Sequence, residues 1–139
     1  MPKIRHLAVI AMDPEKLAIF YSKVFEMEIV NRNRGSVFLT DGYLNLAIIP
    51  NRGEGKPSGL NHIGFHVEDA DVITSRMKEF DCRLPAERPA NRAYADLRGT
   101  DPEGNTFDLC EHDFQQAKNG DVVGAVKAPG KKSAEKAKV

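Results

Sequence analysis

The sequence predicts an α+β fold in which two tandem βαβββ modules form one cup-shaped, mixed β-sheet. Strand-like and helix-like segments follow one another in the order βαβββ, linker, βαβββ. Two histidines and two helix-capping aspartates also recur at one interval, since His6 and His62 lie 56 residues apart, as do Asp13 and Asp69. A duplicated unit explains the order and the interval with a single assumption.

The first module covers about residues 3–50 and begins with a strand at 4–10, a run of mostly branched apolar residues. The stretch Asp13-Pro14-Glu15 then provides an N-cap, a proline for the first helical position and an acid for the first turn. The helix is predicted over about 14–25. Its apolar face consists of Leu17, Phe20, Tyr21, Val24 and Phe25. Strands are predicted at 27–33, 36–41 and 43–50, with Asp41-Gly42 as the hairpin turn between the last two.

The second module covers about residues 61–112 and follows a glycine-rich linker at 51–60. It begins with a strand at 61–67, and Asp69 caps the second helix. One face of this helix consists of Val72, Ile73, Arg76, Met77 and Phe80. Strands are predicted at about 82–88, 93–98 and 105–111, with a turn at Asp101-Pro102-Glu103-Gly104-Asn105 before the last.

Length and composition predict a single domain over residues 1–112. The chain has 139 residues, of which 41% are hydrophobic, so it can build a core without disulfides. Residues 113–139 hold six lysines and three acids and lack an apolar face, and they are predicted to form a partly disordered tail. The formal net charge of zero does not indicate a nucleic-acid partner.

The cellular location is predicted to be the cytoplasm, with no membrane partner. The N-terminus lacks the apolar core of a signal peptide, and no apolar run is long enough to span a bilayer. Cys82 and Cys110 form no CxxC pattern and are predicted to be free thiols in a reducing compartment.

His6 and His62 occupy equivalent positions in the two modules. Two neutral imidazoles that face each other each offer a lone pair to a cation, so the pair indicates a metal site. The alternative is a pair of core histidines that bond to backbone carbonyls. The duplication favours the metal, because a merely structural histidine need not recur at the same position.

A third ligand is expected from a strand that lines the same cup. Asp108 lies four residues after Gly104, between two apolar residues, where a carboxylate is costly to bury unless a cation compensates its charge. The alternative is a solvated aspartate at a strand edge. Glu111 and His112 are second choices as ligands, because strand alternation points Glu111 away from Asp108.

His66 shares a strand face with His62 but lies about 13 Å along the strand, too far for a shared metal. It is a candidate for acid/base chemistry or for a substrate contact near the rim, and the alternative is a rim histidine in water. Other residues are candidates for lining an anion pocket, although alternation alone does not orient them: Tyr43, Arg92, Tyr94 and Arg98.

The order of these motifs resembles the vicinal oxygen chelate superfamily, which contains glyoxalases, type I extradiol dioxygenases and bleomycin-resistance proteins. The resemblance covers about residues 3–112 and rests on a strand with a histidine, the helix DPEKLAIFY, the Asp-Gly hairpin, the strand Asn-His-Ile-Gly and the stretch DPEGNTFDL. It implies that the first-strand histidine of each module, His6 and His62, binds metal. It also implies that the acid four residues after Gly104, Asp108, is the third ligand, although the family usually has Glu there.

The resemblance further implies a fourth ligand on the last strand of the first module, where this chain has Asn45. Glyoxalase I has an acid or a histidine at this position and uses an acid there for proton transfer, so Asn45 disfavours glyoxalase activity. Methylmalonyl-CoA epimerases have an amide there.

The sequence thus predicts an enzyme that uses a divalent metal ion, Fe, Mn, Ni, Co or Zn, held by His6, His62 and Asp108. A small substrate is expected to chelate this ion through adjacent oxygens, with His66 and Asn45 as candidate catalytic residues and with dioxygenase, lyase or epimerase chemistry. The alternative is a binding protein without chemistry, like the bleomycin-resistance members. A homodimer is expected, because relatives often dimerise.

Overall fold

A computed structural model describes residues 1–88 and 96–111 of the chain. The elements in chain order are β1 (Lys3–Ala11), α1 (Pro14–Phe25), β2 (Glu28–Asn33), β3 (Ser36–Thr40), β4 (Asn45–Pro50), β5 (Gly59–His66), α2 (Ala70–Met77), β6 (Ala86–Glu87), β7 (Leu97–Thr100) and β8 (Thr106–Cys110). This is the predicted order of two βαβββ modules. The predicted tail at 113–139 and the candidates Arg92, Tyr94 and His112 lie outside the described residues.

The eight strands form one open, mixed sheet in the order β2-β3-β4-β1-β5-β8-β7-β6. In the first half β1 pairs in parallel with β4, and in the second half β5 pairs in parallel with β8. The halves join in the centre, where β1 and β5 run antiparallel. The order of strands is therefore the same on both sides of this seam, which confirms the predicted duplication and fold class.

Two irregularities fix the alignment of β1 on β5. The register shifts between Ile4 and His6, and again between Ala8 and Val9. Irregularities of this kind bend a strand locally and hold its register. The short stretch of β1 that contains His6 is therefore held in one alignment with β5.

Both helices begin at the predicted caps. The Asp13 carboxylate accepts a hydrogen bond from the backbone N–H of Lys16 at 3.0 Å, with Pro14 at the first helical position. The Asp69 carboxylate accepts one from the backbone N–H of Asp71 at 2.9 Å. These bonds satisfy N–H groups that a helix start otherwise leaves without a partner.

Both helices pack on the same face of the sheet. Leu7, Ile63 and Phe107 are cross-strand neighbours on β1, β5 and β8, so their side chains share one face. Leu7 belongs to the core under Ala18 of α1, and Phe107 belongs to the core under Ala70 of α2. Within the described residues no helix packs on the other face of the sheet.

The helix faces differ from the prediction in part. Three residues of the predicted apolar face of α1 are exposed: Phe20, Val24 and Phe25. The face that meets the sheet is centred on Ala18 instead, which allows the helix to approach the strands closely. In α2, Val72 is also exposed, while Ile73 packs on the core. Phe80 is exposed because the helix already ends at Met77.

The strands near the second helix also have different bounds from those predicted. The strand predicted at 82–88 is reduced to Ala86–Glu87, because Pro85 has no N–H to donate to a ladder. Of the strand predicted at 93–98, residues 93–95 lie outside the described residues, and the described strand runs from Leu97 to Thr100, where it pairs with β8.

Neither Cys82 nor Cys110 forms a disulfide, as predicted. Among residues 1–88 and 96–111, no helix combines the length and the apolar character needed to cross a bilayer. The cytoplasmic location and the domain boundaries stay predictions.

Candidate metal centre

One row of side chains crosses five neighbouring strands on the helix-free face. Asn45 pairs with His6, His6 with Gly64, Gly64 with Asp108, and Asp108 with Arg98. Cross-strand partners point to the same face of a sheet. The row therefore brings together residues from β4, β1, β5, β8 and β7, which are far apart in sequence. His62 joins this group, because it lies two residues before Gly64 on the same face of β5.

Gly64 makes room for the ring of His6. A Cβ atom at this position would overlap the Cε1, Nδ1 and Nε2 atoms of the His6 imidazole. The ring therefore lies over the backbone of β5, in the space that any other residue at 64 would fill. This position directs His6 towards Asp108 on the next strand.

His6, His62 and Asp108 meet in a buried cluster. The Nε2 atom of His62 lies 3.1 Å from Oδ2 of Asp108, and that of His6 lies 3.6 Å from the same oxygen. The two imidazoles are 5.6 Å apart at an interplanar angle of 86°. Each of the three offers a ligating atom, and these atoms all lie within 4.8 Å of one another. Asp108 is only 1% exposed.

Arg98 completes the cluster with a two-pronged ion pair. Its Nε donates to Oδ1 of Asp108 at 2.5 Å, and its Nη2 donates to Oδ2 at 2.9 Å. This fork is the strongest geometry that a guanidinium and a carboxylate can adopt. The Arg98 side chain is 26% exposed, so the cluster opens towards solvent on its side.

The charges of the cluster follow from this geometry. Burial raises the pKa of Asp108, but hydrogen bonds from His6, His62 and Arg98 together hold this pKa well below its ordinary value. Burial lowers the pKa of His6, and together with the charges of His62 and Arg98 it outweighs the Asp108 carboxylate, which raises this pKa. At neutral pH the cluster thus contains a carboxylate, a guanidinium cation and a neutral His6.

Asn61 lies beside His62 and favours one tautomer of its ring. The Nδ1 atom of His62 lies 2.7 Å from the amide oxygen of Asn61, which can only accept, so this contact favours a hydrogen on Nδ1. In the neutral ring Nε2 then holds a lone pair, which faces Oδ2 of Asp108. Two acceptors this close need a cation between them, either a proton on Nε2 or a metal ion. Metal-binding histidines characteristically donate their other ring N–H in this way.

The donor set therefore fits a divalent metal. Two imidazole nitrogens and one carboxylate oxygen, from three strands, converge on one face of the sheet. This arrangement of two histidines and one carboxylate suits Fe(II), Mn(II), Co(II), Ni(II) or Zn(II).

The other candidates predicted from sequence lie around this cluster. Asn45 is buried directly beside His6, so its amide faces the same region. His66 lies on the same face of β5 beside Cys110, and its Nε2 is buried without a hydrogen-bond partner in the described part of the chain. Glu111 is occupied elsewhere, because its carboxylate accepts the backbone N–H of Ala70 at the start of α2 at 2.7 Å. The catalytic roles of Asn45 and His66 stay predictions.

Three residues of the site were missed or left unassigned by the sequence argument. Arg98 was a pocket candidate without an orientation, and the register of β7 on β8 is needed to place it beside Asp108. Asn61 precedes His62 and acts through a local side-chain contact that no periodicity predicts. Gly64 carried a signal, since a glycine inside a strand often marks the close approach of another group. Tyr43 is half-exposed, and the Arg5 guanidinium lies 4.2 Å from the centre of its ring.

Solved structures share this fold at low sequence identity. A hypothetical protein from Bacillus halodurans C-125 has a TM-score of 0.62 at 15% identity, over 84% of this chain and 99% of that chain. Methylmalonyl-CoA epimerase from Mycobacterium tuberculosis has a TM-score of 0.58 at 14% identity, over 76% and 85%. A variant of methylmalonyl-CoA epimerase from Streptomyces coelicolor, in complex with 2-nitronate-propionyl-CoA, has a TM-score of 0.55 at 20% identity, over 77% and 94%. Identities this low show the fold alone.

The family is shown by the sequence itself. No curated protein matches the chain. Residues 3–109, however, match a protein family over a range that includes both modules and every member of the cluster. The chain therefore belongs to the Glyoxalase/Bleomycin resistance protein/Dioxygenase superfamily.

Proposed function

We propose that this chain is a divalent-metal-dependent enzyme that binds a small substrate through two adjacent oxygens. The observation that supports it is the buried cluster of His6, His62 and Asp108, whose ligating atoms lie within 4.8 Å of one another. The contact between Asn61 and His62 adds to this support, because it turns the lone pair of His62 towards Asp108.

The residues of the chain have separate roles in this proposal. His6 and His62 would present Nε2, and Asp108 would present Oδ2, to an ion on the helix-free face of the sheet. A divalent cation bound there supplies Lewis acidity, which stabilises negative charge that develops on the substrate oxygens. Arg98 keeps the carboxylate ionised and oriented.

The reaction class that fits best is an isomerisation, such as an epimerisation. Asn45 lies beside His6 on the same face, where its amide oxygen can act as a fourth neutral donor. With Asn45 as a further donor, four protein atoms would hold the ion, and a substrate bound through two oxygens would leave little room for dioxygen as well. Dioxygenase chemistry is the weaker alternative, since it requires that Asn45 does not coordinate. His66 remains the candidate for proton transfer.

A binding protein without chemistry is the second candidate, and one observation favours it. The Arg98 fork already compensates the charge of Asp108, so the cluster is electrically satisfied without a metal ion. A binding protein of the bleomycin-resistance type would need no metal ion in addition to this ion pair.

Metal analysis of the purified protein separates the two candidates. Protein prepared without chelator is expected to contain about one equivalent of a transition metal, or to take it up on titration. His62→Ala and Asp108→Asn should lose it. His66→Ala is the matched control, because His66 lies on the same strand and face but about 13 Å from His62, and it should keep the metal. If the wild-type protein neither contains nor takes up metal, the enzyme proposal fails and the second candidate, a binding protein without chemistry, is favoured.

The partner prediction is separate from the chemistry. The expected homodimer has no bearing on the cluster, since one chain supplies all of its described members. Light scattering that shows a monomer would contradict it.

A further inference from the structure

Arg98 is placed where it opposes the metal that the site would bind. Its Nη2 donates to Oδ2 of Asp108, and this is also the oxygen that faces both histidines. The same atom therefore serves the guanidinium on one side and the two imidazoles on the other. A metal ion held by the imidazoles and Oδ2 would lie within a few ångströms of a second cation.

We propose that Arg98 is a built-in competitor of the metal: it stabilises the metal-free chain and weakens metal binding. This inference rests on the proposed function only in using His6, His62 and Asp108 as the ligands. Arg98 has two effects of opposite sign, one on the free protein and one on the loaded protein.

The first effect comes from the cost of burying a carboxylate. Asp108 is 1% exposed, and without Arg98 its buried carboxylate would face the imidazoles of His6 and His62. An uncompensated buried charge strongly destabilises a fold. The fork removes this cost in the absence of metal, so the chain needs no ion in order to fold.

The second effect has two causes. The Arg98 guanidinium would repel a metal ion, and it occupies carboxylate oxygens of Asp108 that the ion would use. Nε of Arg98 holds Oδ1, and Nη2 holds one side of Oδ2. Asp108 can thus offer the histidine side one oxygen, not two. Its negative charge is also shared with the guanidinium, which reduces the attraction that a metal ion would feel.

The variant Arg98→Met tests both effects at once, since it keeps an aliphatic side chain and removes the charge. The midpoint of denaturant unfolding of the metal-free protein should fall. The affinity for Zn²⁺ or Co²⁺, measured by titration against a competing chelator, should tighten by at least about tenfold, because a cation a few ångströms away opposes the ion. A merely structural arginine would lower both stability and affinity.

Two further variants serve as controls. Arg98→Lys keeps the positive charge without the fork, so it should lose stability and should not gain the affinity of Arg98→Met. Arg32→Met removes a similar fork, in which Arg32 donates to Glu15 from Nε at 3.0 Å and from Nη2 at 2.6 Å, on the surface. It should leave the metal affinity unchanged.

The outcomes separate this inference from the proposed function. If the wild-type protein binds no metal while Arg98→Met does, the inference that Arg98 competes with the metal is supported, and this competition explains why the wild-type site does not bind the ion. If wild-type protein binds metal and Arg98→Met binds it equally or more weakly, the inference is overturned and the proposed function stands. If neither protein binds metal, both fail. If Arg98→Met does not fold alone, added Zn²⁺ should restore the fold, and a chain that stays unfolded with Zn²⁺ overturns the inference.

Discussion

Replacing Asn61 tests whether the cluster is built for a metal rather than for a hydrogen bond. In Asn61→Ala the Nδ1 hydrogen of His62 loses its acceptor at 2.7 Å, and the ring is free to move its hydrogen to Nε2, where a ligand needs a lone pair. The lost bond to a part-buried group is worth about 1–3 kcal/mol. Metal affinity should therefore fall about 10- to 100-fold.

The assay is a competition titration with Co²⁺, followed by the absorption of the bound ion. Asn61→Asp should bind at least as tightly as wild type, because a carboxylate accepts the same hydrogen more strongly. Asn33→Ala, an exposed asparagine at the end of β2, is the control and should change nothing. The reasoning is refuted if Asn61→Ala binds Co²⁺ as tightly as wild type while His62→Ala does not bind it.

Three other substitutions give further predictions. In Gly64→Ala the new methyl group displaces the His6 ring, so the free energy of unfolding should fall by about 1–3 kcal/mol and metal affinity should fall with it, as measured by denaturant unfolding and titration. Asp108 has a pKa below its ordinary value of 3.8, so its carboxylate stabilises the fold above about pH 4, and this stability is lost on acidification. Unfolding curves at decreasing pH should thus show less acid dependence in Asp108→Asn than in wild type. Glu111→Ala should cost about 1 kcal/mol of stability, because the backbone N–H of Ala70 loses its acceptor. An equilibrium metal titration of this variant should show wild-type affinity. Weakened binding would instead indicate that Glu111 is a ligand.

The sequence predicted the placement of the cluster well where a repeat determined it. The common interval of His6 and His62 predicted equivalent strands, and the structure places these strands side by side at the seam. Alternation along β8 predicted that Asp108 and Glu111 point apart, and Glu111 indeed bonds to α2 on the opposite face. Their roles as ligands stay predictions.

The parts that failed depend on information that periodicity does not contain. The side of α1 that faces the sheet is set by how closely the helix backbone can approach the strands. The small Ala18 is therefore buried against the sheet, while the larger Phe20 and Phe25 are exposed. The contact of Arg98 with Asp108 depends on the alignment of two strands joined by a turn. A pattern predicts that a strand exists, but its register is set by tertiary pairing.

The antiparallel ladder between β1 and β5 holds the two halves of the molecule together, and the cluster lies across it. His6 belongs to one half, while His62 and Asp108 belong to the other. Pulling the halves apart in a loaded protein would strip a ligand from the ion, so the free energy of binding adds to the work of separation. Amide hydrogens along this ladder should then exchange with deuterium more slowly once the ion is bound, and more markedly than those of the outer strands β2 and β6.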